Sequence, residues 1–265
     1  MRYKIFVIIL NFNCGRETVE CVKSLWGGGV RDCEILVVDN ASEDNSVQWI
    51  KSAFPKVKII QNKENLGYAG GNNIGIRRAL KTGADHILIL NPDVIVKKDA
   101  VRQLLAAAED TGVGIVGPKI LTPGGKIWSV GGIIDKKRFT AGLIGLGEAD
   151  RGQYGTNKNV DFVSGTAMLV KREVFEKIGL LDEKYFLYYE DVDFCQRAKG
   201  MGFKVVLAPR AVVIHKESAS VNKKSGLKEY YLARNHWLFL ERWAPWWVKV
   251  RELIRLPKTI WEHFR

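Results

Sequence analysis

Three carboxylates, Glu190, Asp191 and Asp193, stand within four positions of the stretch Phe186-Leu-Tyr-Tyr-Glu-Asp-Val-Asp-Phe194, crowded by Phe186, Tyr188, Tyr189 and Phe194. Charge beside apolar rings is costly unless it is paired or put to use. A carboxylate at a helix start is favoured by the helix dipole, and an ionised one can take a proton from a reacting hydroxyl at neutral pH. Asp193 and Arg197 are spaced i,i+4, which predicts an ion pair on one helix face and a structural role for Asp193. Glu190 is open between a helix cap and a contact to a bound molecule. Phe194 reads as core, and the other rings are open between core and the walls of a site.

Four further polar clusters follow short apolar runs: Asn11-Phe-Asn13, Asp39-Asn-Ala-Ser-Glu-Asp44, Asn65-Leu-Gly-Tyr-Ala-Gly-Gly-Asn-Asn73 and Asn91-Pro-Asp93. Each has a local reading. Asp, Asn and Ser cap helices, Gly and Asn tolerate the positive φ of tight turns, and Pro stops a segment. Four such clusters in series point to a single sheet edge, because a parallel sheet binds ligands beyond the carboxyl ends of its strands. Asn11-Phe-Asn-Cys-Gly-Arg16 stands where a dinucleotide fingerprint would, and a Walker A loop is also absent.

The elements that must position these residues are legible from periodicity. Lys4–Leu10, Glu34–Val38, Val57–Ile60 and His86–Leu90 are apolar runs that predict buried strands. They alternate with helical spacing over 17–26, 42–54 and 68–81, which predicts right-handed crossovers and a parallel sheet covered on both faces. After Thr111 the pattern changes. A strand is expected over 112–121, glycine-rich hairpins or long loops over 124–147, and helices over 171–177 and 190–199. Strands follow over 203–207 and 211–214, then a long helix over 228–242 that Pro245 ends, then an amphipathic segment over 246–264. The simplest organisation is one α/β domain over residues 1–240 with a helical extension over 241–265.

The 265 residues can bury a substantial core, with 46% hydrophobic and 26% charged residues. The formal net charge of +12 favours anionic partners such as nucleic acid, nucleotide diphosphates or anionic lipid. Cys14, Cys21, Cys33 and Cys195 lack zinc-knuckle spacing and are too few for a disulfide scaffold, so they predict free thiols in a reducing compartment. Ile5–Leu10 is too short for a signal core, and no run reaches the ~18–20 apolar residues of a membrane span. The expectation is a cytoplasmic chain.

The clusters recur in a definite order: Val7-Ile-Ile-Leu-Asn-Phe-Asn13, Val37-Val-Asp-Asn-Ala-Ser42, Asn65–Asn73, Leu90-Asn-Pro-Asp-Val94, Phe162-Val-Ser-Gly-Thr-Ala-Met168, Tyr189-Glu-Asp-Val-Asp-Phe194, His215 and Tyr230-Tyr-Leu-Ala-Arg-Asn235. In that order they resemble inverting glycosyltransferases of family 2, which have the GT-A fold, a Rossmann-like, mostly parallel central sheet flanked by helices. The resemblance spans roughly residues 4–240 of a domain of ordinary size. Within the family the chain looks most like the rhamnosyltransferase branch, which uses a pyrimidine nucleotide sugar.

The resemblance implies roles. Asp39 matches the carboxylate that accepts the pyrimidine N–H, a fitting partner because an ionised carboxylate is a pure acceptor. Asn11, Asn13, Asn40, Ser42, Asn65, Gly67, Gly70, Gly71 and Asn72 would complete the nucleotide site. Asn91-Pro-Asp93 stands where the family carries an Asp-x-Asp metal motif. Asn91 replaces the first acid, which leaves Asp93 as the ligand, joined by His215 as in some relatives, although His215 also reads as a strand-end histidine facing solvent. Mg²⁺ or Mn²⁺ would then neutralise the diphosphate leaving group, with the imidazole tilting the preference toward Mn²⁺. Asp191 matches the catalytic base. Ser164, Gly165 and Thr166, with Asn91 and Glu190, would line the donor and acceptor sugars, although 164–166 also reads as a tight packing turn. The implied reaction is metal-dependent, inverting transfer of rhamnose from a dTDP- or UDP-sugar to a glycan or lipid-linked acceptor in bacterial-type cell-surface polysaccharide synthesis.

The tail carries Trp237, Trp243, Trp246, Trp247 and Trp261 among basic residues, a pattern suited to a membrane interface at the inner face of the cell membrane. The other readings dock this helix on the catalytic domain or on a second copy in a homodimer. Lys223, Lys224 and Arg234 are further candidates for meeting diphosphate. Rival functions are a nucleotidyltransferase, which would release pyrophosphate, a glycosyltransferase-like scaffold without turnover, and a basic nucleic-acid-binding protein. The last lacks any recognisable binding motif, so nucleic acid is not an expected partner.

Overall fold

The computed structural model describes residues 3–28, 33–217 and 226–263, with side chains to residue 255. In chain order the elements are β1 (Ile5–Asn11), α1 (Gly15–Gly27), β2 (Cys33–Asp39), α2 (Ser46–Ala53), β3 (Lys58–Gln61), α3 (Gly67–Lys81), β4 (His86–Leu90), β5 (Val94–Val96), α4 (Ala100–Ala108) and β6 (Val113–Leu121). Then follow β7 (Ile127–Ser129), β8 (Gly132–Ile134), β9 (Ala141–Leu143), β10 (Lys158–Asn159), β11 (Ala167–Lys171), α5 (Arg172–Ile178), α6 (Glu190–Gly200), β12 (Lys204–His215), α7 (Leu227–Trp243) and α8 (Trp246–His263).

The main sheet runs β10-β12-β6-β11-β4-β1-β2-β3, with β5 on β12 and β7 on β6. β4, β1, β2 and β3 are mutually parallel, as are β6 and β12, and the antiparallel β11 joins the two sets. This is the GT-A architecture, a mostly parallel central sheet flanked by helices.

Alternation along β1 explains the layers. Phe6, Ile8 and Leu10 face a core shared with α3, α5, α6 and α7, while Val7 and Ile9 face one shared with α1, α2 and α4. Every residue of β1 is buried. Full burial of a Val, Leu, Ile or Phe side chain contributes about 1.5–3 kcal/mol, so these alternating contacts fix the register strongly. That register pairs Asn11 with Asp39 and Asp39 with Gln61, so the polar strand ends share one edge.

The structure corrects several boundaries. α2 begins at Ser46, not Ser42, because the Ser42 side chain is tied back to Asp39 and Asn11. The two expected strands at 203–207 and 211–214 are one, β12, which absorbs Pro209 at an irregularity between Ala208 and Val212. β5 and β11 were not expected at all. The 124–147 stretch does contain the expected hairpin, β8 on β9. α7 continues to Trp243, across position 240. Leu240, Ala244 and Val248 form a small cluster with Phe139 and Trp237, and Arg251 bonds the Lys137 carbonyl, which seats the start of α8 on the 137–139 loop. Lys223 and Lys224 lie outside the described residues, as does the side chain of Trp261.

Candidate active site

At the ends of β1 and β2 three predicted residues form one bonded unit. Asn11 Nδ2 donates to Asp39 Oδ1 at 2.7 Å and lies 2.9 Å from Ser42 Oγ, and Ser42 donates from Oγ to Asp39 Oδ1 (2.6 Å) and from N to Oδ2 (3.2 Å). Thr18 Oγ1 donates to Asn11 Oδ1 at 2.7 Å and fixes which way that amide points. Asn13 joins through its backbone N to Ser42 Oγ (2.9 Å), and its Oδ1 accepts from Glu43 N. Asp39 is buried but its Oδ2 takes one bond among those described, so it retains acceptor capacity for a ring N–H.

Asn40 has a different surrounding. Its Nδ2 donates to Asn65 Oδ1 (2.8 Å) and the Gly67 carbonyl (3.0 Å), and its Oδ1 accepts from Asn62 Nδ2 and Leu66 N. Asn40 thereby pins the 62–67 loop that leads into α3, and Asn65 Oδ1 also accepts from Gly67 N. Gly70, Gly71 and Asn72 lie buried inside α3. The close approach that the two glycines allow is to the chain itself: a Cβ would stand 2.8 Å from Leu66 Cβ at Gly70 and 2.4 Å from Leu10 Cδ1 at Gly71. Asn72 donates back to the Tyr68 carbonyl.

β5 brings the next pair together. It runs antiparallel to β12 with Val94 opposite His215, so Asp93 and His215 become neighbours. His215 Nε2 is 3.3 Å from Asp93 Oδ1, and both residues are 8% exposed. Trp128 packs edge-on against the His215 ring at 4.7 Å and is itself held by Glu217. Among the described residues no group of three or more His, Cys, Asp or Glu gathers to hold a metal ion.

The third cluster centres on the 164–166 turn. Thr166 O accepts from Asn91 N (3.0 Å), and Gly165 N donates to Asp191 Oδ2 (2.8 Å). The turn therefore links the Asn91–Asp93 segment to the first turn of α6. Val192 N donates to Asp191 Oδ1 at 2.8 Å, and the Ser164 and Thr166 hydroxyls bond each other. Burial raises the Asp191 carboxyl above the ordinary aspartate range, against the backbone N–H groups of Gly165, Val192 and Asp191 itself, which lower it. Glu190 is raised well above the ordinary glutamate range, by burial first and the Asp191 charge second. Its Oε2 has no hydrogen-bond partner among the described residues.

Asp193 pairs with Arg197 at 2.8 Å as its spacing predicts, and also meets Arg242 and the Trp243 indole N–H. Phe194 is wholly buried in the core. Phe186 stacks on Tyr231 and Tyr189 on His236, so two of the expected wall rings pack against α7. Arg234 bonds Asn235.

Two residues beside this cluster stand in the quoted motifs but carried no role there, Tyr68 within Asn65–Asn73 and Asn235 at the end of Tyr230-Tyr-Leu-Ala-Arg-Asn235. Tyr68 donates its phenol to Gly165 O at 2.5 Å, and its own pKa is raised well above the ordinary value by burial and then by Glu190 and Asp191. A Cβ at Gly165 would sit 2.7 Å from that phenol oxygen, so a larger residue there must displace the tyrosine. Asn235 reaches across from α7 to the chain just before Asp191. Its position in a helix interior, where Asn is a weak helix former, was the available signal.

A model of the family described as "Glycosyl transferase family 2" matches residues 6–179. The chain is 31% identical over 234 residues to a low-salt glycan biosynthesis hexosyltransferase of Haloferax volcanii, covering 88% of this chain and 74% of that one. It is 26% identical over 270 residues to an N-acetylglucosaminyl-diphospho-decaprenol L-rhamnosyltransferase of Mycobacterium tuberculosis, covering 91% and 85%. Its fold matches a mannosyltransferase of Pyrobaculum calidifontis, solved with GDP-Man and Mn²⁺, at a TM-score of 0.65 and 17% identity over 92% of this chain and 66% of that one.

Proposed function

The chain belongs to glycosyl transferase family 2, and on that premise we propose that it transfers rhamnose, with inversion, from a dTDP- or UDP-sugar to a hydroxyl of a glycan or lipid-linked glycan, in cell-surface polysaccharide synthesis. Asp39 accepts the ring N–H of the pyrimidine, with Asn11, Asn13 and Ser42 beside it. Asn40, Asn65, Gly67, Gly70, Gly71 and Asn72 shape the wall behind the nucleotide. Asp191, deprotonated, takes the proton from the acceptor hydroxyl as its oxygen attacks the anomeric carbon. The nucleoside diphosphate leaves from the opposite face, which inverts the configuration. Ser164, Gly165, Thr166, Asn91 and Glu190 surround the sugars.

Asp93 and His215 fit a divalent cation of the Mg²⁺ or Mn²⁺ kind. Two neighbouring ligands about 2.1 Å from such an ion stand about 3 Å apart, close to the 3.3 Å between Oδ1 and Nε2. Such an ion, held by Asp93 and His215, would supply positive charge for the departing diphosphate.

The observation that carries this reading is the 164–166 turn, which bonds Asn91 on one side and Asp191 on the other and so couples the proposed diphosphate end of the site to a half-buried carboxylate. The test is Asp191→Asn with donor affinity and turnover measured separately. Donor binding should persist while turnover falls about 10²- to 10⁴-fold, the usual contribution of a positioned base. Normal turnover in that variant would remove Asp191 from the role, and release of pyrophosphate would turn the reading to nucleotidyl transfer.

The site works at the inner face of the cell membrane, reached through α8. In support, Trp246 (72% exposed), Trp247, Val250, Leu253 and Ile254 (74% exposed) are exposed on one arc of that helix, opposite the buried Val248. By helical spacing Lys249 and Arg251 border the arc, in a chain of net charge +12. An apolar stripe with tryptophan and a basic border suits an anionic lipid surface.

A further inference from the structure

The chain enters Asp191 through an unusual segment. Phe186, Tyr188 and Tyr189 all have positive φ, at 57°, 69° and 72°. Aromatic residues avoid that region, and such a segment persists only where its surroundings over-determine it. Asn235 supplies much of the constraint. Its Nδ2 lies 2.6, 2.7 and 2.8 Å from the carbonyl oxygens of Tyr185, Leu187 and Tyr188, its Oδ1 accepts from Arg234 at 2.9 Å, and it is wholly buried. From the other side Tyr68 N donates to Phe186 O at 2.5 Å. The segment is thus held between α7 and the start of α3.

We propose that Asn235 is the positioning residue for Asp191. With its two N–H groups shared among the carbonyls of residues 185, 187 and 188 it fixes the left-handed turn at Tyr189, from which α6 starts with Asp193 N donating to Tyr189 O at 2.9 Å. That start aims the Asp191 carboxylate at Gly165 N. An amide suits this role because it offers N–H donors to carbonyl oxygens, whereas a carboxylate of the same shape would repel them. The proposal rests on Asp191 acting as the base.

The test pairs hydrogen exchange with steady-state kinetics in Asn235→Ala and in the volume-conserving Asn235→Asp. Amides of residues 186–193 should exchange faster while the rest of the chain is unchanged. With a dTDP- or UDP-sugar donor, kcat should fall about a hundredfold, the cost of misplacing a reacting group by about 1 Å, at constant donor KM. Unchanged exchange across 186–193 overturns the clamp whether or not the wild type transfers sugar. Faster exchange there with unchanged kcat overturns the positioning role. Faster exchange throughout, with kcat falling only as the folded fraction falls, makes Asn235 a stability residue and overturns the proposal as well. A wild type without sugar transfer removes the base assignment itself, and the exchange data then still report on the clamp.

Discussion

Glu190 and Asp191 are neighbouring carboxyls in one helical turn, and burial raises both. The folded state therefore holds protons that the unfolded chain releases between the ordinary carboxylate range and these raised values. Stability must fall as pH rises through that window, the reverse of a salt-bridged acid. Thermal melts from pH 5 to pH 8 should show this decline, and Glu190→Gln should flatten it; an unchanged slope would mean that Glu190 ionises freely in the fold. The same shift places the acid limb of turnover above the ordinary aspartate range, since Asp191 must lose its proton to act. His215 makes a separate prediction. His215→Ala should remove the Mn²⁺-dependent increment in nucleotide diphosphate affinity, by about tenfold or more, and leave metal-free binding unchanged in calorimetry. Survival of the increment would exclude His215 as a ligand. Asp191, Asp93 and His215 drew their proposed roles from motifs, whereas Tyr68 and Asn235 stood in quoted motifs without a role, because their bonds run to backbone carbonyls of distant segments.

Elements, more than single residues, assemble the site. Three-residue β5 sets His215 beside Asp93, and β11 carries the 164–166 turn into the middle of the sheet. Neither was expected, because Val94-Ile-Val96 is too short for a periodicity and Ala167–Lys171 follows a run of small residues that reads as a turn. α6 and α7 are joined by Asp193, which is fully buried and meets Arg197, Arg242 and Trp243. Removing a buried partner leaves the other charge uncompensated, so Asp193→Ala should cost about 3–5 kcal/mol in chemical denaturation. A loss below about 1 kcal/mol, as for an exposed pair, would show that water replaces the carboxylate freely. Gly165→Ala should disturb the site from the opposite side, because the new methyl meets the Tyr68 phenol; turnover should drop with only a modest stability loss of about 1–3 kcal/mol.

At the scale of the whole molecule the exposed arc of α8 makes the sharpest prediction. The chain should sediment with phosphatidylglycerol vesicles at low salt and less with phosphatidylcholine vesicles, since the basic border acts through a screened field. Trp246→Ser combined with Trp247→Ser should release it while donor binding stays intact. Equal recovery of the double variant and the wild type on both vesicles would take the membrane out of the account, and a concentration-dependent dimer in its place would assign the arc to a second copy.

The sequence by itself determined the alternating parallel half of the sheet and the polar edge of β1 to β4, because burial on both faces leaves an unbroken apolar run and parallel strands end together. It also determined the Asp193–Arg197 pair, since i,i+4 neighbours meet within one helix. Tertiary structure alone decided that Asn40 and the α3 glycines face the chain, that β12 is one strand across Pro209, and that Gly165 N bonds Asp191. Those outcomes depend on contacts between residues distant in sequence, as in the bond from Tyr68 N at the start of α3 to Phe186 O, and local periodicity does not encode them.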